Sequence, residues 1–153
     1  MKRETNPILI IAFLLPSFSA YSDDSGESEL PQAVFNNFRS IYPEARIKEW
    51  EWEKKEMLYE VEFIMNGESY EAFFTSDGKW IRTEREIKKS ELPQAVKESF
   101  SQSEFSKWKI DDIEEQFLPE QHLIYEIEVE QGEQEYDLYF KPDGTLVNTV
   151  KKK

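Results

Sequence analysis

The residues of this chain best suited to chemistry are carboxylates spaced two apart in short segments: Glu60 and Glu62, Glu71, Glu126, Glu128 and Glu130, and Asp137. Side chains of one parity along a strand share a face, so each set would project together, beside Phe73 and Tyr139. Three chemistries follow from such a face. A pair of carboxyls could act as the acid and base of glycoside hydrolysis. Oxygens at alternate positions could converge on a hard cation such as calcium. An acidic surface could also hold a basic protein or peptide without reacting. The first needs a walled cleft that raises one carboxyl's pKa, and with 32 acidic residues in the chain, residue type alone selects no pair. For the second, no Asp-x-Asp-x-Asp-Gly loop is present.

Other reactive constellations are missing. The single histidine, His122, falls in the expected loop Leu118-Pro119-Glu120-Gln121-His122, and the chain has no cysteine to complete a zinc site or a Cys-His pair with it. It reads as a solvated loop residue. Of five glycines, Gly67, Gly78, Gly132 and Gly144 fall at expected hairpin turns and Gly26 in a polar stretch, which leaves none for a phosphate-cradling loop. Neither a Gly-x-Ser-x-Gly elbow nor a His-Glu-x-x-His helix occurs. The sequence therefore predicts a protein that is not an enzyme and carries no cofactor.

The elements that must position the carboxylates come twice. Ser28-Glu29-Leu30-Pro31-Gln32-Ala33-Val34 recurs letter for letter as Ser90 to Val96, and Phe38 and Phe100 keep the same spacing of 62. Further on, Tyr59-Glu60-Val61-Glu62 is echoed by Tyr125-Glu126-Ile127-Glu128, Tyr70-Glu71 by Tyr136-Asp137, and Asp77-Gly78 by Asp143-Gly144, all offset by 66. This is a tandem duplication. In the first copy Pro31 suits a first helical turn, and Val34, Phe38 and Ile41 form one apolar stripe that Pro43 ends. The period then changes to two. Strands are expected at Arg46 to Glu53, around Tyr59, Val61 and Phe63, around Tyr70, Ala72 and Phe74, and from Trp80 to Ile87, with hairpin signals at Asn66-Gly67 and Asp77-Gly78.

The second copy predicts a helix bearing Leu92, Val96 and Phe100, then strands near Lys109–Phe117, Leu123–Glu130, Glu135–Lys141 and Thr145–Val150. The fold class expected is α+β: two tandem repeats, each a helix plus a four-stranded antiparallel meander, with helices packed on one face of the sheet. The two sheets could join into one of eight strands. How they meet is not legible in the sequence.

The expected domain organisation is a signal peptide at 1–22, a linker at 23–27, repeats at 28–88 and 89–150, and a basic tail at 151–153. Lys2 and Arg3, the apolar run Ile8 to Leu15, Pro16 and the small residues after it have the layout of a secretory signal, and that run is about half the roughly 20 residues that span a bilayer. Periplasmic or secreted placement follows, with no membrane span after removal. Loss of residues 1–22 would leave 17 basic and 31 acidic residues, a net charge of −14. That charge makes nucleic acid an improbable partner and favours basic proteins, peptides or divalent cations. Without cysteines, stability must come from packing, for which a chain with 14% aromatics is well supplied.

Leu-Pro-x-Ala-Val at a helix start, Tyr42-Pro43-Glu44-Ala45 at its end, the Tyr-x-Val/Ile-x-Phe/Val strand and the closing Asp-Gly turn, in the same order twice, resemble the PepSY-like family. Its tandem members are similar in fold to the β-lactamase inhibitory proteins. The resemblance runs from Glu29 to about Val150, and the second copy departs from it at Phe105-Ser106, where Tyr-Pro is the pattern. It implies an exported, non-catalytic module, with protease or hydrolase inhibition suggested for relatives; it assigns no inhibitory residues, since a fold does not fix a function.

Two readings of the acidic face stand side by side. It is solvated or paired internally with Arg46, Lys48, Arg82 or Lys141, or it binds a basic partner. Trp50, Trp52, Trp80 and Trp108 are expected mainly in helix–sheet packing. Trp50 and Trp52 share a parity, so if theirs is the open face they would anchor an interface. The candidate binding residues are thus Trp50, Trp52, Glu60, Glu62, Glu71, Phe73, Glu126, Glu128, Glu130, Asp137 and Tyr139. The rival function is a structural or assembly component of the cell envelope that associates through edge strands.

Overall fold

The computed structural model describes residues 30–152. The signal peptide and linker expected at 1–22 and 23–27 lie outside the described residues, as does Lys153 of the basic tail. Helix α1 (Gln32–Ile41) is followed by β1 (Arg46–Glu53), β2 (Leu58–Met65), β3 (Glu68–Phe74) and β4 (Trp80–Glu86). Helix α2 (Gln94–Gln102) is followed by β5 (Lys109–Leu118), a single 3-10 turn (Pro119–Gln121), β6 (His122–Gln131), β7 (Gln134–Phe140) and β8 (Leu146–Lys151).

All eight strands form one sheet, in chain order and antiparallel throughout. The joint that the sequence left open is the β4–β5 pair, with Thr83 opposite Phe117, Glu84 opposite Gln116, Arg85 opposite Glu115 and Glu86 opposite Glu114. One continuous sheet needs no crossover, because each strand finds its predecessor.

Each helix begins just after a proline whose φ is preset near −51 to −54°, and buries two residues four apart, Val34 with Phe38 and Val96 with Phe100. Both helices lie on the same side of the sheet, over separate cores. Beneath α1 are Ile47, Val61, Phe63, Ala72 and Phe74. Beneath α2 are Ile113, Ile127, Val129, Leu138 and Phe140. Phe105, standing where the family pattern has Tyr, is buried against Trp108 and Tyr136 with ring centres 5.2 Å from each.

At the margin of the first core, Thr83 ties the end of α1 to β4. Its hydroxyl receives Trp80 Nε1 at 2.9 Å and lies 2.7 Å from the Tyr42 hydroxyl. Beside it Arg85 bonds Glu115 at 2.7 Å and Glu68 at 2.6 Å. Among the described residues, no helix is long and apolar enough to cross a membrane.

Candidate binding face

With both helices on one side, the other side of the sheet carries the residues of opposite parity. Reading the register across the strands places Glu49, Glu62, Glu71, Glu84 and Gln116 in a single row, each directly opposite the next. A parallel row holds Glu86, Glu114, Glu126 and Tyr139, and a third Asp112, Glu128 and Asp137. Like charges directly opposite on a sheet oppose folding.

The chain supplies some cations to this face. Lys48 pairs with Glu62, and Lys152 with Glu128. Arg82 is gripped bidentately by Glu56 at 2.6 and 3.0 Å and donates through Nε to Glu84 at 2.5 Å. Its guanidinium carbon lies 3.8 Å from the centre of the Phe73 ring, a cation–π stack. Gln116 donates from Nε2 to Glu84 at 2.9 Å and to Glu126. At the sheet margin Lys109 holds Glu130 and Asp111 at 2.5 and 2.9 Å.

Among the described residues, the paired cations are fewer than the carboxylates of this face. Burial, then the neighbouring carboxylates Glu84, Glu126 and Asp112, push Glu114 up to about 8. Burial and Glu71 push Glu60 up to about 7, and burial and Asp137 do the same to Glu126. Burial also raises Glu71 and Asp137, and Glu84 despite the opposing pull of Arg82. The carboxylate oxygens of Glu84, Glu114 and Glu126 lie within 4.8 Å of one another. They are the residues that could hold a cation, and Gln116 directs amide hydrogens at two of them. Among the described residues of the cleft, no serine, threonine or cysteine nucleophile stands beside a base.

Glu60, Glu62, Glu71, Phe73, Glu126, Glu128, Glu130, Asp137 and Tyr139 all lie on the open face by register. Glu126, Glu128, Asp137 and Tyr139 share one cleft of about 520 Å³ with Glu84, Glu114 and Gln116. Glu60 and Glu62 stand towards β1, and Glu130 at the far margin.

Two expectations are corrected. Trp50 and Trp52 pair with Val61 and Tyr59, so they lie on the helix side, with Tyr59 ring centres 5.9 and 4.8 Å away. A bulge between Ile47 and Glu49 sets that parity, by admitting an extra residue into β1. Phe73 is on the open face, but only 4% exposed, because Arg82 covers it.

Sequence reasoning missed Glu84, Glu114 and Gln116, which occupy the middle of the cleft. Alternation in 80–87 and 109–117 was the available signal. It could not show that β4 and β5 are neighbours.

The comparisons with known proteins agree with this fold. The family model described as "Putative beta-lactamase-inhibitor-like, PepSY-like" matches residues 23–64 and 57–148. A BLIP-like protein from Bacteroides fragilis NCTC 9343 is 31% identical, with 84% of this chain and 91% of that one covered and a TM-score of 0.69. A DUF2874 family protein from Bacteroides ovatus ATCC 8483 is 26% identical over 79% of this chain and 86% of its own, TM-score 0.69. A Bacteroides eggerthii DSM 20697 protein, described among "putative periplasmic proteins", is 27% identical over 79% of this chain and 88% of its own, TM-score 0.67. No curated protein matches the sequence.

Proposed function

The chain belongs to the beta-lactamase-inhibitor-like, PepSY-like family, and from that premise we propose that it is an exported, non-catalytic binding module whose acidic sheet face takes a basic protein or peptide, acting as an inhibitor of a hydrolase or protease. The observation that carries this reading is the row Glu49, Glu62, Glu71, Glu84, four carboxylates in direct cross-strand register on the face that neither helix covers. Such a row costs folding energy, and a cationic partner would relieve it while gaining electrostatic steering. Export is supported by the layout of residues 2–22 and by the similarity to a protein described as periplasmic.

The test is inhibition and binding across a panel of β-lactamases, proteases and glycosidases, with the full chain and a Glu60→Lys/Glu62→Lys/Glu126→Lys/Glu128→Lys variant. Inhibition of one hydrolase that the variant loses supports the reading. Equal inhibition by both proteins would move the contact to the loops or the helix side.

A second reading, assembly in the envelope, draws on β8. This edge strand leaves Leu146, Val147 and Val150 41–45% exposed, a template for pairing with another strand. A protein that sediments as a monomer over a wide concentration range counts against it.

A further inference from the structure

The two repeats furnish the same aromatic position differently. In the first, the cross-strand triplet on the open face is Glu60, Phe73, Arg82. In the second, the residues 66 further on form the same triplet in the same register, Glu126, Tyr139, Asn148. The ring is retained and the carboxylate is retained, but the arginine is replaced by a side chain too short to reach over the ring.

Arg82 shows what the first seat accepts. Its planar guanidinium stacks on Phe73 and spends its hydrogens on Glu84 and Glu56. On the second repeat nothing equivalent is delivered from β8. Asn148 turns its Oδ1 to the backbone N–H of Thr149 at 2.9 Å, and Val150 takes the position that Glu84 has on β4. Acceptors nonetheless surround Tyr139: Glu126 beside it and Glu114 on the next strand.

A separate observation points the same way. Asp137 is only 7% exposed, and its Oδ1 accepts no hydrogen bond. Lys152 is the nearest cation, 3.4 Å from that oxygen while it serves Glu128. A buried carboxylate oxygen without a hydrogen bond is destabilising. Asp137, Tyr139, Glu126 and Glu114 line the same cleft, so a donor entering over Tyr139 would share that cleft with an oxygen served only by the ion pair to Lys152.

We infer that Tyr139, Glu126 and Asp137 form a seat for an arginine side chain supplied by the partner, the counterpart in trans of the place Arg82 fills in cis. The inference rests on the open-face reading and names the chemistry recognised there. Arginine fits better than lysine because a flat guanidinium stacks on a ring while its edge donates to two carboxylates at once, whereas an ammonium is a compact, strongly hydrated point charge.

The experiment is an NMR titration of the full chain with a glycine–serine peptide carrying one central arginine, against the same peptide with lysine or citrulline. The arginine peptide should shift the signals of β6, β7 and β8 and bind about threefold to tenfold more tightly than either control. Tyr139→Ala should weaken it by a similar factor. Asn148→Arg should abolish it by filling the seat in cis, with melting temperature unchanged or raised, which keeps the test informative should Tyr139→Ala fail to fold. Equal binding of the lysine peptide, or indifference to both variants, overturns the seat. If binding is then still lost on Glu62→Lys/Glu128→Lys, the open-face reading survives that failure; if it is not, both fall.

Discussion

Glu114 and Glu126 stand directly opposite each other on β5 and β6, with a third carboxylate, Glu84, within 4.8 Å of both. The protein's stability should therefore fall as pH rises. Glu60, Glu114 and Glu126 have folded-state pKa values of about 7, 8 and 7, above those of an unfolded chain at about 4.3. Between those limits the native state binds more protons than the unfolded one, so the slope of unfolding free energy against pH is negative. Urea unfolding at constant ionic strength should give a higher midpoint at pH 5 than at pH 8. A flat or rising profile would show that the carboxylates are compensated.

Replacing Glu114 with Gln keeps shape and hydrogen-bonding capacity while removing a charge that burial, and then the neighbouring carboxylates, oppose. Glu114→Gln should stabilise the protein by about 1–2 kcal/mol at pH 8, a figure reduced for partial exposure, and by much less at pH 5. The difference between the two pH values is the readout, since a packing effect would appear equally at both.

Thr83 is 1% exposed and serves both Tyr42 and Trp80. Thr83→Val preserves shape but strips both of their partner, at a cost of about 1–3 kcal/mol. Thr83→Ser retains the hydroxyl and should lose less. Urea midpoints of the two variants against the parent chain measure both costs.

Gly78 and Gly144 close the same turn in the two repeats at φ of +86° and +85°. An added Cβ would stand 2.5 Å from the carbonyl oxygen of Ala33 in one and of Ala95 in the other, so each turn touches its own helix. Gly78→Ala and Gly144→Ala should each cost about 2 kcal/mol or more, from backbone strain and collision together. Their effects should add in the double variant, because the two sites share no partner.

Trp52 belongs to packing. Trp52→Ala should lower stability by about 1–2 kcal/mol through the lost contact with Tyr59 and leave binding at the acidic face unchanged. Loss of binding in a variant that remains folded would return Trp52 to the interface.

Much of this architecture was legible in the sequence. Val34, Phe38 and Ile41 marked α1, and Asn66-Gly67 and Asp77-Gly78 marked the turns of the first repeat, because helix and strand periods and left-handed turn residues are local properties of the chain. Alternation likewise put Glu60, Glu62 and Glu126 on the side away from Val61 and Ile127. The face of Trp50 was not legible: a single extra residue at Lys48 in β1 leaves the sequence pattern unchanged and yet sets which side Trp50 and Trp52 take.

The sequence by itself determined a duplicated helix-and-strand unit, an acidic character and the absence of familiar catalytic constellations, all of which depend on residue type and short-range spacing. Only the tertiary structure decided that β4 and β5 pair, bringing Glu84 from one repeat beside Glu114 and Glu126 of the other. It alone showed that Arg82 stacks on Phe73 while Asn148 stands opposite the half-buried Tyr139. The physical reason is that hydrogen bonds between strands are indifferent to side-chain identity. Which carboxylates become neighbours, and how far their protons are held, follows from register across the sheet rather than from order along the chain.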